Sequence, residues 1–382
     1  MLLGASSSRP TMLDSRSIGQ PGRLLTDGQP KASNLKVVRK EELIVNNKVL
    51  RSSITLAFFV VALLSGFGAG APAQTSATTA APPALALSYL PASDAIVLID
   101  VRRLLNETMP SVLAGDQAKL ATANAEIDKF KTRTGIDLRS FDRVVLGMRY
   151  TYPSARVTKL ETVVIAHGTF DAKGLAAAGR IAANGKFREE KYRGATILIF
   201  TINDQIKLLG LWDIRVNELA VCALDANSLA IGTLPNVQAA IIAGKRGGAN
   251  SALAALATRD PNAVIGFGAN VPRELMANLN VGNDTIAKDA NSIRQAYGSI
   301  GSTASDLSLV LVARTDSLDS ARNLSDTITG LKQLGGIFVA QMAQPRKGLA
   351  QSALDNLKIT TRATEVEIKT QVASASLASV IK

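Results

Sequence analysis

A run of fourteen uncharged, mostly apolar residues, 54–67 (ITLAFFVVALLSGF), fixes where a folded domain can begin in this chain. Lys48 and Arg51 stand before it, and Ala71-Pro72-Ala73 follows. Positive charge, a short apolar core and small residues at the two positions a signal peptidase reads make a secretory signal, with cleavage before Gln74. Residues 54–73 could just span a bilayer if the segment stayed uncleaved, which is the competing reading. A buried core helix fits less well, because Gly66, Gly68, Gly70 and Pro72 would break it. No cysteine lies near the cut, which excludes a lipid-modified N-terminus.

This segment sets the organisation. Residues 1–47 are polar without an apolar period and read as a leader outside the natural reading frame, with translation starting at a valine codon such as Val45 or Val49. Residues 48–73 are the signal peptide. Residues 74–87 are an Ala/Pro/Thr-rich linker, too poor in large apolar side chains to order itself. Residues 88–248 and 249–382 are two folded halves.

Within those halves strand and helix patterns alternate. Residues 95–101 (AIVLIDV) are apolar and β-branched, as a buried strand requires. In 116–133, Leu120, Ala123, Ile127 and Phe130 recur at helical spacing, and Gly135 stops the helix. Residues 143–150 and 161–169 read as a hairpin, after which Asp171 caps a helix that Gly185 ends. Four short strands (195–201, 206–212, 218–223, 228–232) and a helix at 236–243 close the half. The second half follows a similar order: a strand at 263–267, a helical start at 273–279 and a strand at 306–314. Asp316 then opens a helix through Leu334 with Leu318, Ala321, Leu324, Ile328 and Leu331 on one face. Strands at 358–363 and 365–372 and a terminal helix complete it. The expected fold is therefore α+β, with two related halves, each a largely antiparallel sheet with helices packed on one face.

Pro91–Val101 (PASDAIVLIDV) and the strand running into Gly168-Thr169-Phe170-Asp171 carry a resemblance. The chain resembles uncharacterised exported bacterial proteins with a duplicated α+β domain of unknown function. The resemblance covers most of residues 88–382 and implies no activity.

Composition narrows the chemistry further. Net charge is +12, of which residues 1–73 supply +5. The remaining basic residues are dispersed and lack interleaved aromatics, so nucleic acid is not an expected partner. The cluster Lys129-Phe130-Lys131-Thr132-Arg133 ends a helix and complements its C-terminus. Cys222, the single cysteine, lies in an apolar run and reads as a core residue. His167 is the single histidine, which removes His-based zinc sites. It could serve a Ser-His-Asp triad, but no G-x-S-x-G elbow supplies the nucleophile. Gly266-Phe267-Gly268 follows a strand but lacks the third glycine of a dinucleotide loop, where Val271 stands. Gly244-Lys245 lacks the hydroxyl residue of a phosphate loop. Glu189 and Glu190 are adjacent, so on a strand they face opposite sides. Glu365 and Glu367 share a face with Lys369, as on a solvated strand. Asp100 and Asp142 sit at strand ends.

No catalytic, cofactor-binding or metal residues are assigned, and no cofactor is expected. The reading is a non-catalytic envelope or secreted protein, periplasmic or extracellular and soluble after cleavage, that binds an unknown protein or envelope component. Membrane contact would come only through an uncleaved signal segment. The alternative is an extracytoplasmic hydrolase using carboxylate or Ser/Lys chemistry.

Overall fold

The computed structural model describes residues 84–134, 137–154, 157–183, 185, 187–208, 212–246, 250–274, 283–303 and 305–378. The leader, the signal peptide with its cleavage site, and residues 74–83 of the linker lie outside these residues. The last linker residues do not behave as a tether. Ala84–Ser88 form a helix, α1, and Ala86 and the following Leu90 are buried in the main core.

Twelve antiparallel strands make one sheet in the order β11-β12-β10-β9-β8-β1-β2-β3-β7-β6-β5-β4. The strands are β1 (Ala95–Asp100), β2 (Phe141–Ser154), β3 (Val157–Gly168), β4 (Phe187–Tyr192), β5 (Ala195–Leu208), β6 (Trp212–Ala223), β7 (Ser228–Gly232), β8 (Ala263–Asn270), β9 (Ile293–Ser302), β10 (Asp306–Thr315), β11 (Lys358–Arg362) and β12 (Glu365–Ala373). Residues 88–248 supply β1–β7 and residues 249–382 supply β8–β12. They meet at β1 and β8, where Leu98 stands opposite Gly266. The run expected as one strand at 206–212 is divided, ending β5 at Leu208 and opening β6 at Trp212.

The two edges are short and charged. Arg188, Glu189, Glu190 and Lys191 occupy β4, and Lys358 and Arg362 flank β11. Such edges discourage pairing with a strand of another chain.

The α+β class holds, but helices cover both faces of the sheet rather than one. The alternation in β1 shows why. Ile96 and Leu98 enter one core, Val97 and Ile99 the other. On the first face, Ile96, Val145, Ile165, Ile197 and Cys222 lie beneath α1, α6 (Leu234–Arg246) and α7 (Ser251–Ala257). On the second, Ile265, Ile300 and Leu307 lie beneath α3 (Met109–Val112), α4 (Gln117–Thr134) and α11 (Ser374–Ala378). A π-helical turn, Leu104–Thr108, joins α3 to α2 (Val101–Arg103). Further along this face α5 (Ala172–Ala182) packs near Phe141 and Phe170. At its other end α9 (Leu318–Ala340) seats Ala321, Leu324 and Ile328 against Ala313, Val366 and Ile359. Strands buried on both faces lose the alternation that marks a one-sided sheet. Each large aliphatic side chain so buried contributes about 1.5–3 kcal/mol.

Close backbone approach explains β8. A Cβ on Gly266 would overlap the carbonyl oxygen of Ala257, so α7 can lie directly on the strand only over glycine. Gly268 meets α7 in the same way, at Leu253 and Leu256. The Gly266-Phe267-Gly268 pattern therefore belongs to helix–strand packing and forms no phosphate loop. The remaining helices, α8 (Asp284–Ala290) and α10 (Arg346–Asp355), lie beside α9.

Candidate functional site

Four places in the described residues gather polar chemistry or unpartnered apolar surface. The first begins as a row across the sheet. Asp100, Arg143, His167 and Ser228 stand opposite one another on β1, β2, β3 and β7. Asp100 accepts the Arg103 amide at 3.0 Å and caps α2, while its second oxygen lies 3.8 Å from the Arg143 guanidinium. His167 Nδ1 is 3.0 Å from Ser228 Oγ. The Ser228 hydroxyl also bonds Asp225, which accepts the Tyr89 hydroxyl at 2.7 Å.

A serine, a histidine and an aspartate thus do meet, but in the wrong order for hydrolysis. A triad needs the imidazole between hydroxyl and carboxylate. Here the serine is the middle member, and it is fully buried. Burial works to raise the Asp225 carboxyl, but hydrogen bonds from Tyr89, the Asn227 amide and Ser228 outweigh it and hold the group below its usual range. Burial and the Asp225 bond push the Tyr89 phenol up to about 12. The network joins chain segments and presents no nucleophile.

The second cluster lies on the first face of β9, β10 and β12. Tyr297 is buried between two guanidinium groups, Arg259 at 5.0 Å from its ring and Arg314 at 5.8 Å. Arg259 donates to the Tyr297 hydroxyl. Arg314 grips Glu365 Oε1 through Nε at 3.0 Å and Nη2 at 2.7 Å, and its Nη1 reaches Gln295 at 2.5 Å. Burial alone would raise Glu365, yet the bonds from Arg314 and Tyr297 hold it low. Burial and Glu365 raise the Tyr297 phenol. Perturbed groups of this kind occur in active sites and in structural ion-pair networks alike. In this cluster the donors and the acceptor already satisfy one another.

Of the other carboxylates singled out in the sequence, Glu189, Glu190 and Asp142 are also occupied. Glu189 pairs with Arg180 of α5 at 2.7 Å and Glu190 accepts from Gln238 of α6 at 2.7 Å, on opposite faces of the sheet. Asp142 is bound by Arg102. Lys129 pairs with Glu126 and Lys131 with Asp137, so both lysines of this cluster are paired locally. Cys222 is buried, and desolvation pushes its thiol up to about 11. Among the described residues no group of three or more His, Cys, Asp or Glu could hold a metal ion.

The third place is a cavity of about 380 Å³ lined by Tyr89, Ala195, Leu224 and Ile241, with Arg193 and Lys245 among its lining residues. Arg193 and Gly194 both have positive φ, which turns β4 tightly into β5. Lys245 Nζ then donates to the Arg193 carbonyl at 2.7 Å and ties α6 to this turn. Its two cations therefore serve a turn and the C-terminal end of a helix.

The fourth place differs in kind. The first half of α9 packs on the sheet, but Leu334 is 52% exposed, Ile337 59% and Phe338 70%. Leu331 and Met342 are also exposed. Residues 331, 334 and 338 of α9 follow helical spacing, so they form one flank beside the buried stripe. From the sequence the helix is expected to end at Leu334, with Leu318 and Leu331 on one face with Ala321, Leu324 and Ile328. The helix instead starts after its N-cap Ser317 and runs to Ala340, and both leucines are exposed. The signal was present as apolar residues 334 and 338 at helical spacing beside the buried stripe. Among the described residues no helix is long and apolar enough to cross a membrane.

No protein-family model matches the chain, and no curated protein matches it. Among solved structures, crystal form III of TP0453 matches at 10% identity with a TM-score of 0.39, over 79% of this chain and 99% of that one. Crystal form I of TP0453 matches at 11% identity with a TM-score of 0.38, over 79% and 97%. A likeness of this degree carries no function across.

Proposed function

We propose that the chain is an exported, non-catalytic protein of a bacterial envelope or secreted compartment, and that it works by binding through the exposed flank of α9. The observation that carries this reading is the exposure of Leu334, Ile337 and Phe338 on one helix. A contiguous apolar patch costs solubility, and on a soluble domain it marks an interaction surface. The competing hydrolase reading would draw on Glu365 and Tyr297. Their mutual bonds with Arg314 and Arg259 favour a structural role. The N-terminal signal segment supports export, and an envelope component is the partner that fits both features.

Cell fractionation tests the reading. The wild-type protein should travel with the envelope fraction, and a Leu334→Gln, Phe338→Gln chain should be released at unchanged thermal stability. Identical fractionation of the two, with both folded, would contradict it.

A further inference from the structure

We propose that the α9 flank docks on a lipid surface rich in anionic headgroups. The inference rests on reading that flank as the binding surface and names its partner.

Three observations point to lipid. Between Asp326 and Asp355 the chain contains no Asp or Glu, while Lys332, Arg346 and Lys347 give this segment three positive charges. The two lysines cap carbonyls, Lys332 at Leu357 and Lys347 at Ala340, and keep their charge while doing so. Arg346 is exposed and opens α10, just past the end of α9 in the chain. The exposed apolar side chains include Leu and Phe, the types that interfacial helices place on their apolar face. They belong to a helix too polar to span a bilayer, since Asp326, Thr327, Thr329, Lys332 and Gln333 share its length. An amphipathic helix with an apolar flank and basic residues toward its C-terminal end lies in the plane of the interface. Its apolar side chains then enter the boundary between headgroups and acyl chains. Each Lys or Arg near an anionic surface adds about 1 kcal/mol.

A fluorophore at position 338 tests this in the full chain. Phe338→Cys can be labelled with a nitrobenzoxadiazole dye while the buried Cys222 stays unreacted. The label reports the flank alone, so an apolar segment at 54–67 inserted in the same vesicle gives no signal. With vesicles of phosphatidylcholine and phosphatidylglycerol in equal parts, the emission should rise and be quenched by nitroxide-labelled acyl chains. Leu334→Gln with Ile337→Gln should weaken vesicle binding about tenfold or more, and Arg346→Gln with Lys347→Gln about thirtyfold. Equal quenching on phosphatidylcholine alone would overturn the anionic preference. No quenching on either vesicle would overturn lipid docking. In that case, self-association of the unlabelled chain that Leu334→Gln with Ile337→Gln abolishes would leave the binding reading standing with a second copy as partner. With neither vesicle binding nor self-association, both proposals fail.

Discussion

The Tyr89 hydroxyl donates to Asp225 Oδ2 across 2.7 Å, although the two residues lie 136 positions apart in the chain. Tyr89 follows α1, and Asp225 sits in the turn between β6 and β7. Beneath the tyrosine, Gly244 of α6 is packed so closely that a Cβ there would overlap the ring. One side chain therefore fastens the start of the fold to a distant turn and a helix.

Tyr89→Phe should cost about 1.5–3 kcal/mol, the worth of a hydrogen bond to a charged acceptor. Asp225 is held below its usual range in the folded protein. Its contribution is present above the ordinary carboxylate range and is lost as pH falls through the depressed folded value. Urea unfolding of wild type and variant at neutral and acid pH checks this, and the gap between them should narrow in acid.

Gly266→Ala should destabilise by about 3 kcal/mol, because α7 must lift off β8 to admit the methyl group. Gly330→Ala should do the reverse. Gly330 lies inside α9 with open space around it, and alanine there should stabilise by about 0.5–1 kcal/mol. Thermal unfolding of the two variants gives opposite signs.

Cys222 should resist thiol reagents in the native state and react fully in urea, because its thiol is buried and raised to about 11. Its labelling rate should then follow global unfolding, and rapid native labelling would contradict the packing of the first core.

Glu365→Gln should cost about 1 kcal/mol, since the charge-assisted Arg314 bonds are only partly shielded from water. Because Glu365 is held low in the folded state, the penalty should fade as pH drops through the carboxylate range. Chemical unfolding across that range checks the sign.

The sequence made the strand and helix order of 95–182 readable because caps and turns mark it, with Asp171 accepting from the Lys173 amide and Gly185 at positive φ. β9 escaped notice because Gly298 and its serines look like a loop. Gly298 is required where the strand backbone meets the Val310 carbonyl of β10, a contact no local pattern encodes. The second helical layer was hidden for a related reason. A strand such as β1, apolar at every position from Ala95 to Ile99, gives no phase from which to count covered faces. The polar clusters pair residues of remote strands, so spacing could not assemble them. The α9 flank was partly legible, in that its apolar residues continue past the point where the buried stripe ends.

The central claim is that Leu334 and Phe338 serve a surface outside the fold rather than its core. Thermal unfolding of Leu334→Gln, Phe338→Gln, with retention of the native protein on a phenyl matrix, tests it most directly. The account predicts a melting temperature within about 2 °C of wild type and clearly weaker retention. A fall of roughly 8 °C or more would mean that the two side chains support the core, and would contradict it.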